Sequence, residues 1–185
     1  MDLLTVLYFE VLNIDPQNPR WEERDRFILS KGHSSIGLYA ILHLRGFMDK
    51  KTLLTFRQDK SLLSGHPDMN KVSGVEMSTG SLGHGLSVGI GLAVAAKKDQ
   101  KGHRIFVLMG DGETQEGSVW EAAMFASHHH LDNLTAIVDR NQIQIDGFTE
   151  DILALEPYKA KWKAFGWHVE EIDGHDMKQI RTALK

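Results

Sequence analysis

The chain has 185 residues, of which 42% are hydrophobic and 25% are charged, and its formal net charge is -4 at pH 7. These values are typical of one soluble globular domain, and they exclude the strongly basic surface that nucleic acid or an anionic membrane would require. Cysteine is absent, which excludes disulfide bonds and thiolate chemistry, and no membrane span or secretory signal is visible, so we expect a cytoplasmic protein.

Helical patterns dominate the first third of the chain. Residues 2–9 have the periodicity of an amphipathic helix, and a short extended piece is predicted at residues 25–29. Two further helices are predicted at residues 34–44 and 49–56. Residues 61–80 are irregular and rich in Gly, Ser, His and Met, which indicates a binding loop in a compact domain.

The next helical pattern, from Leu82 to Lys97, contains an unusual number of glycines. Each glycine costs a helix roughly 1 kcal/mol relative to alanine. We therefore expect close packing against another backbone or a cofactor to compensate. The glycines in question are Gly83, Gly85, Gly89 and Gly91.

Strands and helices alternate in the second half of the chain. Apolar runs of strand length are separated by helical patterns, which predicts an α/β fold with an open parallel sheet, right-handed crossovers and helices on both faces. The strands are predicted at residues 104–109, 134–138 and 167–172, and the helices at residues 117–131, 152–165 and 177–185.

Two of these predicted strands end in polar segments. Gly110-Asp111-Gly112 follows the first strand, and Asn141 follows the second, with Ile143 two positions later. Open α/β sheets bind ligands at the carboxyl ends of their strands. A carboxylate, an amide oxygen and a backbone carbonyl are hard ligands that suit Mg2+ or Ca2+ and leave room for diphosphate oxygens. We therefore predict a cation site formed by Asp111, Asn141 and the Ile143 carbonyl, with the Gly112 amide facing a diphosphate.

Each of these residues has a structural alternative. Asp111 could be a turn aspartate that caps the helix starting near Gly117. Asn141 could be a left-handed turn residue before the hairpin-like stretch at residues 145–147. Among the ten histidines, the run at residues 128–130 cannot share one metal ion, because successive helical residues diverge by about 100 degrees. We expect that run to be a solvated helix end.

Five ordered segments resemble the N-terminal thiamine diphosphate domain of transketolases, and together they cover nearly the whole chain. A lone Gly-Asp-Gly tripeptide would be a weak signal, because short patterns arise by chance. The order of all five segments makes the resemblance specific. They are residues 25–33 (DRFILSKGH), 64–67 (SGHP), 74–83 (GVEMSTGSLG), 110–112 (GDG) with Asn141, and 165–168 (FGWH).

The resemblance implies that thiamine diphosphate and a divalent cation, Mg2+ or Ca2+, bind to the chain. It also implies that His33 hydrogen-bonds the diphosphate and that His66 faces the reacting carbon and the donor hydroxyl groups. Imidazole suits both tasks because it donates or accepts protons near neutral pH. The structural alternative for both residues is a loop histidine satisfied by backbone groups.

Other positions receive expected roles from the same resemblance. Gly80-Ser81-Leu82 should pass under the cofactor rings, with Leu82 against an apolar ring face. Glu116 matches a glutamate of the dimer interface that belongs to a carboxylate network joining two active sites. A glutamate stabilised by the helix dipole is its structural alternative. Gly110, Gly112 and Asn141 complete the expected cofactor contacts.

Three positions weaken or limit this transfer of roles. The family usually has proline at the position of Ser81 and often has glutamine at that of His84. Glu113 lies at a position that varies in the family and receives no role.

The resemblance implies the diphosphate-binding half of an enzyme that transfers a two-carbon ketol unit between sugar phosphates. The activating glutamate and an aromatic clamp belong to a separate pyrimidine-binding domain, so we expect a homodimer or a complex with a C-terminal transketolase subunit, and no turnover by this chain alone. The family pattern continues beyond both ends, so residues 1–185 are expected to be a single diphosphate-binding domain that is incomplete at both termini.

Other functions stay open at this point. The chain could belong to a related thiamine diphosphate enzyme, such as 1-deoxyxylulose-phosphate synthase, dihydroxyacetone synthase or a 2-oxo-acid dehydrogenase component. It could also be a non-catalytic subunit that binds the cofactor or a partner. An unrelated phosphate-binding α/β domain is disfavoured, because no Walker-type or Gly-x-Gly-x-x-Gly loop is present.

Overall fold

A computed structural model describes all 185 residues and contains a three-stranded parallel sheet in the order β1-β2-β3. The strands are β1 (Arg26–Leu29), β2 (Ile105–Gly110) and β3 (Leu134–Asp139). Leu29 pairs with Leu108. Gly110 pairs with Asp139, so the carboxyl ends of all three strands lie at one edge of the sheet. The predicted α/β fold with an open parallel sheet is confirmed.

Helices account for most of the remaining regular structure. They are α1 (Asp2–Val6), α2 (Ser35–Leu44), α3 (Lys50–Leu53), α4 (Gly85–Lys98), α5 (Gly117–His128), α6 (Thr149–Ile152), α7 (Tyr158–Ala164) and α8 (Met177–Ala183). A π-helical turn (Leu7–Val11) extends α1, and 3-10 turns occupy Gly32–Ser34 and Gly112–Gln115. A small antiparallel hairpin pairs β4 (Ile143–Gln144) with β5 (Gly147–Phe148). None of the helices has the length and apolar character needed to cross a membrane.

The two faces of the sheet are covered by two separate hydrophobic cores. Leu29 and Leu108 belong to a core that also contains buried residues of α1, α2 and α8. Ile28 and Val107 belong to the other core, which contains buried residues of α4, α5 and α7. Because side chains alternate along a strand, a strand buried on both faces must be apolar at every position. This explains the uninterrupted apolar run of residues 105–109 and confirms the prediction of helices on both faces.

Residues 167–172 do not form the predicted strand. They make no ladder with β3, and a cavity of about 910 Å3 is lined by both. Side-chain contacts hold the segment instead: Nε1 of Trp167 donates to the carbonyl oxygen of Ala123 at 2.9 Å. Val169 packs against one core and Ile172 against the other. The apolar residues of this segment therefore contact both cores without strand pairing.

Residues 152–165 form parts of two short helices, where a single helix was predicted. α6 ends at Ile152, and α7 begins at Tyr158, directly after Pro157. Proline has no amide hydrogen and disfavours a helical conformation of the residue before it, so the helix cannot pass through this point. Leu155 is buried within the break and anchors it to the protein.

Several helix ends differ from the prediction; α3 ends at Leu53 instead of residue 56, and α8 ends at Ala183 instead of residue 185. The helix predicted from Leu82 begins at Gly85, because Gly83 has a left-handed φ of 82° that no helix can include. α5 ends at His128, earlier than predicted, and His130 has a left-handed φ of 49°. The side chains at residues 128–130 are exposed, as expected for a solvated helix end.

Close packing accounts for Gly85 and Gly89 of α4. A Cβ atom at Gly89 would lie 2.6 Å from Cγ2 of Val107 on β2, and one at Gly85 would collide with the side chain of Ser30. A Cβ atom at Gly91 would meet no atom within 4 Å. Close packing therefore compensates the helix-propensity cost of glycine at Gly85 and Gly89. No contact in the structure explains Gly91.

We predict opposite effects for two alanine substitutions in α4. Gly89→Ala should lower the free energy of unfolding by about 1–2 kcal/mol, because overpacking against Val107 outweighs the gain in helix propensity. Gly91→Ala, in open space, should raise it by about 0.5–1 kcal/mol. Urea unfolding followed by circular dichroism measures both, and a Gly89→Ala protein as stable as Gly91→Ala would contradict the packing argument.

Candidate functional site

The carboxylate of Asp111 lies just past the end of β2 and is almost fully buried, with 1% exposure. Its Oδ1 accepts a hydrogen bond from the amide of Gly112 at 2.8 Å. Its Oδ2 accepts three more, from Arg140 at 2.8 Å, the Gln142 amide at 2.8 Å and the Thr149 hydroxyl at 3.1 Å. Four donors hold the carboxylate in one orientation. Asp111 and the loop after β3 therefore meet, as the strand order predicts.

The structural alternatives for the two predicted cation ligands are only partly realised. Asp111 caps the 3-10 turn at Gly112–Gln115, and it does not cap α5. Asn141 is exposed, and its Oδ1 accepts a hydrogen bond from the Ile143 amide at 2.9 Å. The left-handed residue of this turn is Gln142, with a φ of 64°. The Oδ1 atoms of Asp111 and Asn141 each have two lone pairs and accept one hydrogen bond, so each can accept a further ligand, whereas Oδ2 of Asp111 already has three donors.

Arg140 connects the Asp111 carboxylate to the segment that follows the hairpin. Its guanidinium pairs with Glu150 at 2.7 Å and with Glu156 at 3.1 Å. It also lies over the ring of Tyr158, 5.6 Å from the centroid. No functional role was predicted for Arg140 from the sequence. The only signal in the sequence was a basic residue beside a predicted cation ligand.

Glu113, which also received no role, is a central structural residue of the site. Its side chain is buried, and Oε1 accepts hydrogen bonds from the Ser30 hydroxyl and from the Gly83 amide at 3.0 Å. Oε2 accepts from the Gly110 amide at 3.1 Å. Glu113 therefore joins the end of β1, the loop before α4 and the end of β2. Two of its partners are 83 and 30 residues away in sequence, so the sequence pattern carried no signal for them.

The loop at residues 79–80 contacts both expected cofactor histidine segments. A Cβ atom at Gly80 would lie 3.3 Å from the ring of His66. A Cβ atom at Gly32 would lie 2.6 Å from Oγ1 of Thr79. The structure therefore brings His66, Gly80 and the segment containing His33 to one place. Neither histidine ring has a hydrogen-bond partner in the structure, so the alternative of a histidine satisfied by backbone groups is not realised.

His33 is exposed at the mouth of this site. Partial burial of its ring lowers the pKa of the imidazole below its ordinary value, and the Lys31 ammonium adds to the effect. Lys31 is buried and pairs with Asp139 at 2.6 Å. A depressed pKa keeps the His33 ring neutral near pH 7, which is the form that can both donate and accept a hydrogen bond.

Three expected site residues make few contacts. Ser81 is exposed, and Leu82 is half-buried. Glu116 is exposed at the N-terminus of α5, and its side chain makes no capping hydrogen bond. His84 is likewise exposed at the N-terminus of α4 without a capping bond. Within this chain, these side chains are free to contact a ligand or a neighbouring protein.

The amides of the Gly-Asp-Gly segment are already engaged. The Gly112 amide donates to Asp111, and the Gly110 amide donates to Glu113. The sequence predicted that Gly112 would present its amide to a diphosphate. In this structure a diphosphate would have to compete with Asp111 for that donor.

The donor set of this site fits a cation that binds together with an anion. No group of three or more His, Cys, Asp or Glu side chains is arranged to hold a metal ion. Among the three predicted cation ligands only Asp111 is charged, which suits a hard cation that takes further oxygens from diphosphate and water. The buried hydroxyl of Thr79 has no hydrogen-bond partner and lies beside Gly32, where it could donate to an anionic ligand.

Comparisons with known proteins find one family that matches the whole chain. The family model described as "Transketolase, thiamine diphosphate binding domain" matches residues 1–185. The chain is 47% identical over 184 residues to 6-deoxy-6-sulfo-D-fructose transketolase subunit SqwG of Clostridium sp. (strain MSTE9), covering 100% of this chain and 67% of that protein. It is 48% identical over 180 residues to one of the subunits of the apulose-4-phosphate transketolase of Phocaeicola vulgatus, covering 97% of this chain and 64% of that protein.

A solved structure shows the same fold. The crystal structure of transketolase from Campylobacter jejuni matches with a TM-score of 0.93 and 40% identity, covering 98% of this chain and 30% of that chain. This chain therefore spans about two thirds of the length of the subunit relatives and less than a third of the longer enzyme.

We predict that Glu113 is needed for stability. Glu113→Ala should lower the free energy of unfolding by about 3 kcal/mol or more, because the hydroxyl of Ser30 and two backbone amides lose their acceptor. Glu116→Ala removes an exposed glutamate three positions away and should change stability by less than about 0.5 kcal/mol. Urea unfolding measures both, and equal midpoints for the two variants would contradict the assignment.

We predict a depressed pKa for His33 in the folded chain, measurable by NMR titration of the imidazole protons. Lys31→Met should raise this pKa by removing the adjacent positive charge, whereas Lys98→Met on the surface of α4 should not. Since the folded pKa lies below the unfolded value of about 6.5, the stability linked to His33 is full above that value and is lost as the pH falls below it. A His33 pKa above 6.5 would contradict this prediction.

Proposed function

The chain belongs to the family of transketolase thiamine diphosphate-binding domains, and on this premise we propose that it supplies the diphosphate- and cation-binding half of a transketolase-type active site. The complete enzyme transfers a two-carbon ketol unit between sugar phosphates. The cytoplasm is the proposed location.

The observation that carries this proposal is the convergence of loops on Asp111. Its buried carboxylate receives donors from the Gly112 turn, from the loop after β3 and from Thr149, at the edge of the sheet where α/β proteins bind ligands. Two distant predicted ligand segments therefore share one carboxylate. A merely structural turn aspartate would satisfy only its own turn.

The proposed cation ligands are Asp111, the side-chain oxygen of Asn141 and the carbonyl oxygen of Ile143. The cation would be Mg2+ or Ca2+, because both prefer oxygen ligands. Asp111 fixes one end of this ligand set rigidly, whereas the exposed turn at residues 141–143 can adjust when a ligand arrives. A rigid and a mobile part together suit a cation that binds along with its anionic partner.

The proposed ligands of the thiamine diphosphate itself surround the Thr79–Gly80 loop. His33 donates a hydrogen bond to the diphosphate, which its neutral ring can do without adding charge. His66, against Gly80, faces the substrate hydroxyl groups and holds or moves a proton there. Leu82 packs against an apolar ring face, and Gly80 permits close approach of the cofactor.

Bound thiamine diphosphate supplies the group that stabilises the carbanion formed during ketol transfer. This chain contributes binding and orientation. The cation site fixes the diphosphate end, and the two histidines are placed to position polar groups of cofactor and substrate. We propose that a separate pyrimidine-binding domain supplies the acid that activates the aminopyrimidine.

We propose that this domain is brought by a partner, either a companion C-terminal subunit or part of a homodimer. The two subunit relatives are named as transketolase subunits, which supports an enzyme whose domains lie on separate polypeptides. Met124 and Phe125 are exposed apolar side chains on α5, and Glu116 lies at the N-terminus of the same helix. An apolar helix face with a carboxylate at its end suits an interface at which two sites communicate.

The proposed substrates are sugar phosphates. The relatives are named for apulose-4-phosphate and for 6-deoxy-6-sulfo-D-fructose, so related subunits serve sugars with different anionic groups. Mixing the chain with a pyrimidine-domain partner, thiamine diphosphate, Mg2+ and a ketose phosphate should produce ketol transfer to an aldose phosphate. Cofactor binding without any transfer would instead support a non-catalytic binding subunit.

Asp111→Asn should remove the cation dependence of cofactor binding. We expect the affinity for thiamine diphosphate in the presence of Mg2+ to fall by about 100-fold or more, because the only charged cation ligand is lost. Asp146→Asn, at an exposed position of the β4-β5 hairpin, should bind like the unmodified chain. Calorimetric titration measures the affinities, and circular dichroism verifies the fold. Unchanged affinity of the Asp111→Asn protein would contradict the proposed site.

A further inference from the structure

Arg140 is the only charged donor to the Asp111 carboxylate. The other three donors are two backbone amides and the hydroxyl of Thr149, all neutral. Asp111 is 1% exposed, so protein groups must compensate its charge in place of water, and a positive partner is the strongest of them. In this structure that partner is the guanidinium at 2.8 Å.

The guanidinium is held in place independently of Asp111. Glu150 and Glu156 accept from Nη2, and Tyr158 lies beneath the plane at 5.6 Å. The backbone amides of Leu155 and residue 156 in turn hold Glu150. Arg140 therefore cannot move away easily when another cation approaches, because three further groups fix it.

A divalent cation bound to Asp111 would share one carboxylate with this fixed positive charge. Glu150 and Glu156 accept from Nη2, whereas Nη1 faces Asp111, so a cation at this carboxylate would lie beside the Nη1 end of the guanidinium, and like charges repel. A cation alone would thus bind weakly, even though its carboxylate ligand is preformed. A diphosphate brings several negative charges and would offset the repulsion, so the two ligands would bind best together.

We propose that Arg140 is a resident counter-cation that keeps the divalent-cation affinity of Asp111 low until a diphosphate arrives. This inference rests on the proposed cation and diphosphate site. In this role Arg140 is a positioning residue that touches the cation ligand and makes cation binding depend on the anionic partner.

The test measures Mn2+ binding to the full chain by electron paramagnetic resonance, with and without thiamine diphosphate. Arg140→Gln keeps polar contacts but removes the charge, and it should bind Mn2+ alone at least about tenfold tighter than the unmodified chain. The gain in Mn2+ affinity on adding thiamine diphosphate should shrink, because the diphosphate no longer has a resident positive charge to offset.

Two matched variants separate the effect of the positive charge of Arg140 from the effect of lost hydrogen bonds. Arg140→Lys retains the positive charge, loses the paired guanidinium bonds, and should bind Mn2+ alone as weakly as the unmodified chain. Thr149→Val removes a neutral donor to the same Oδ2 and should also leave that affinity unchanged. Tighter Mn2+ binding by all three variants would show that loss of any side-chain donor to Asp111 raises the Mn2+ affinity. That result would overturn the proposal.

The outcomes also distinguish this inference from the function on which it rests. If the unmodified chain binds neither Mn2+ nor thiamine diphosphate in any combination, the proposed site fails and this inference fails with it. If both bind together but Arg140→Gln binds Mn2+ alone no tighter, only this inference is overturned. Unmodified protein that binds Mn2+ equally well with and without thiamine diphosphate would overturn it even if Arg140→Gln did not fold.

Discussion

The buried carboxylate of Glu113 holds together the three segments from which the site is built. Where parallel strands end, their last amides lose ladder partners and need other acceptors. Glu113 accepts from the amides of Gly110 and Gly83 and from the hydroxyl of Ser30, which itself accepts from the Gly85 amide at 3.2 Å. No lysine or arginine neutralises this carboxylate, so hydrogen bonds alone stabilise it. The N-terminus of α4 and the ends of β1 and β2 are thereby fixed relative to one another.

Much of the fold could be predicted from the sequence because its signals are local. The apolar run at residues 105–109 reflects a strand buried on both faces, and the periodicity of α2, α4 and α5 reflects one buried helix face each. The strand predicted at residues 167–172 was wrong because an apolar run of strand length shows only which side chains are buried. Strand pairing depends on a neighbouring backbone at the right distance, which no local pattern reports.

The residues of the candidate site likewise fall into those that the sequence predicts and those that it does not. Asp111 and the loop at residues 141–143 could be placed together, because parallel strands bring their carboxyl ends to one edge. Their partners could not be predicted. Arg140 contacts Glu150 on α6 and Glu156 in the break before α7, and these tertiary contacts have no local sequence signal. Glu113 was missed because two of its partners lie 83 and 30 residues away in sequence, so its contacts depend on the tertiary structure.

The outer edge of β3 has a consequence for the chain in isolation. β3 pairs with β2 on one side only, and its other side borders the cavity that residues 167–172 leave open. The strand contains neither lysine nor proline, the residues with which proteins commonly protect such edges. Concentrated solutions of the isolated chain will therefore tend to associate edge to edge, and an added strand that fills the opening would suppress this aggregation.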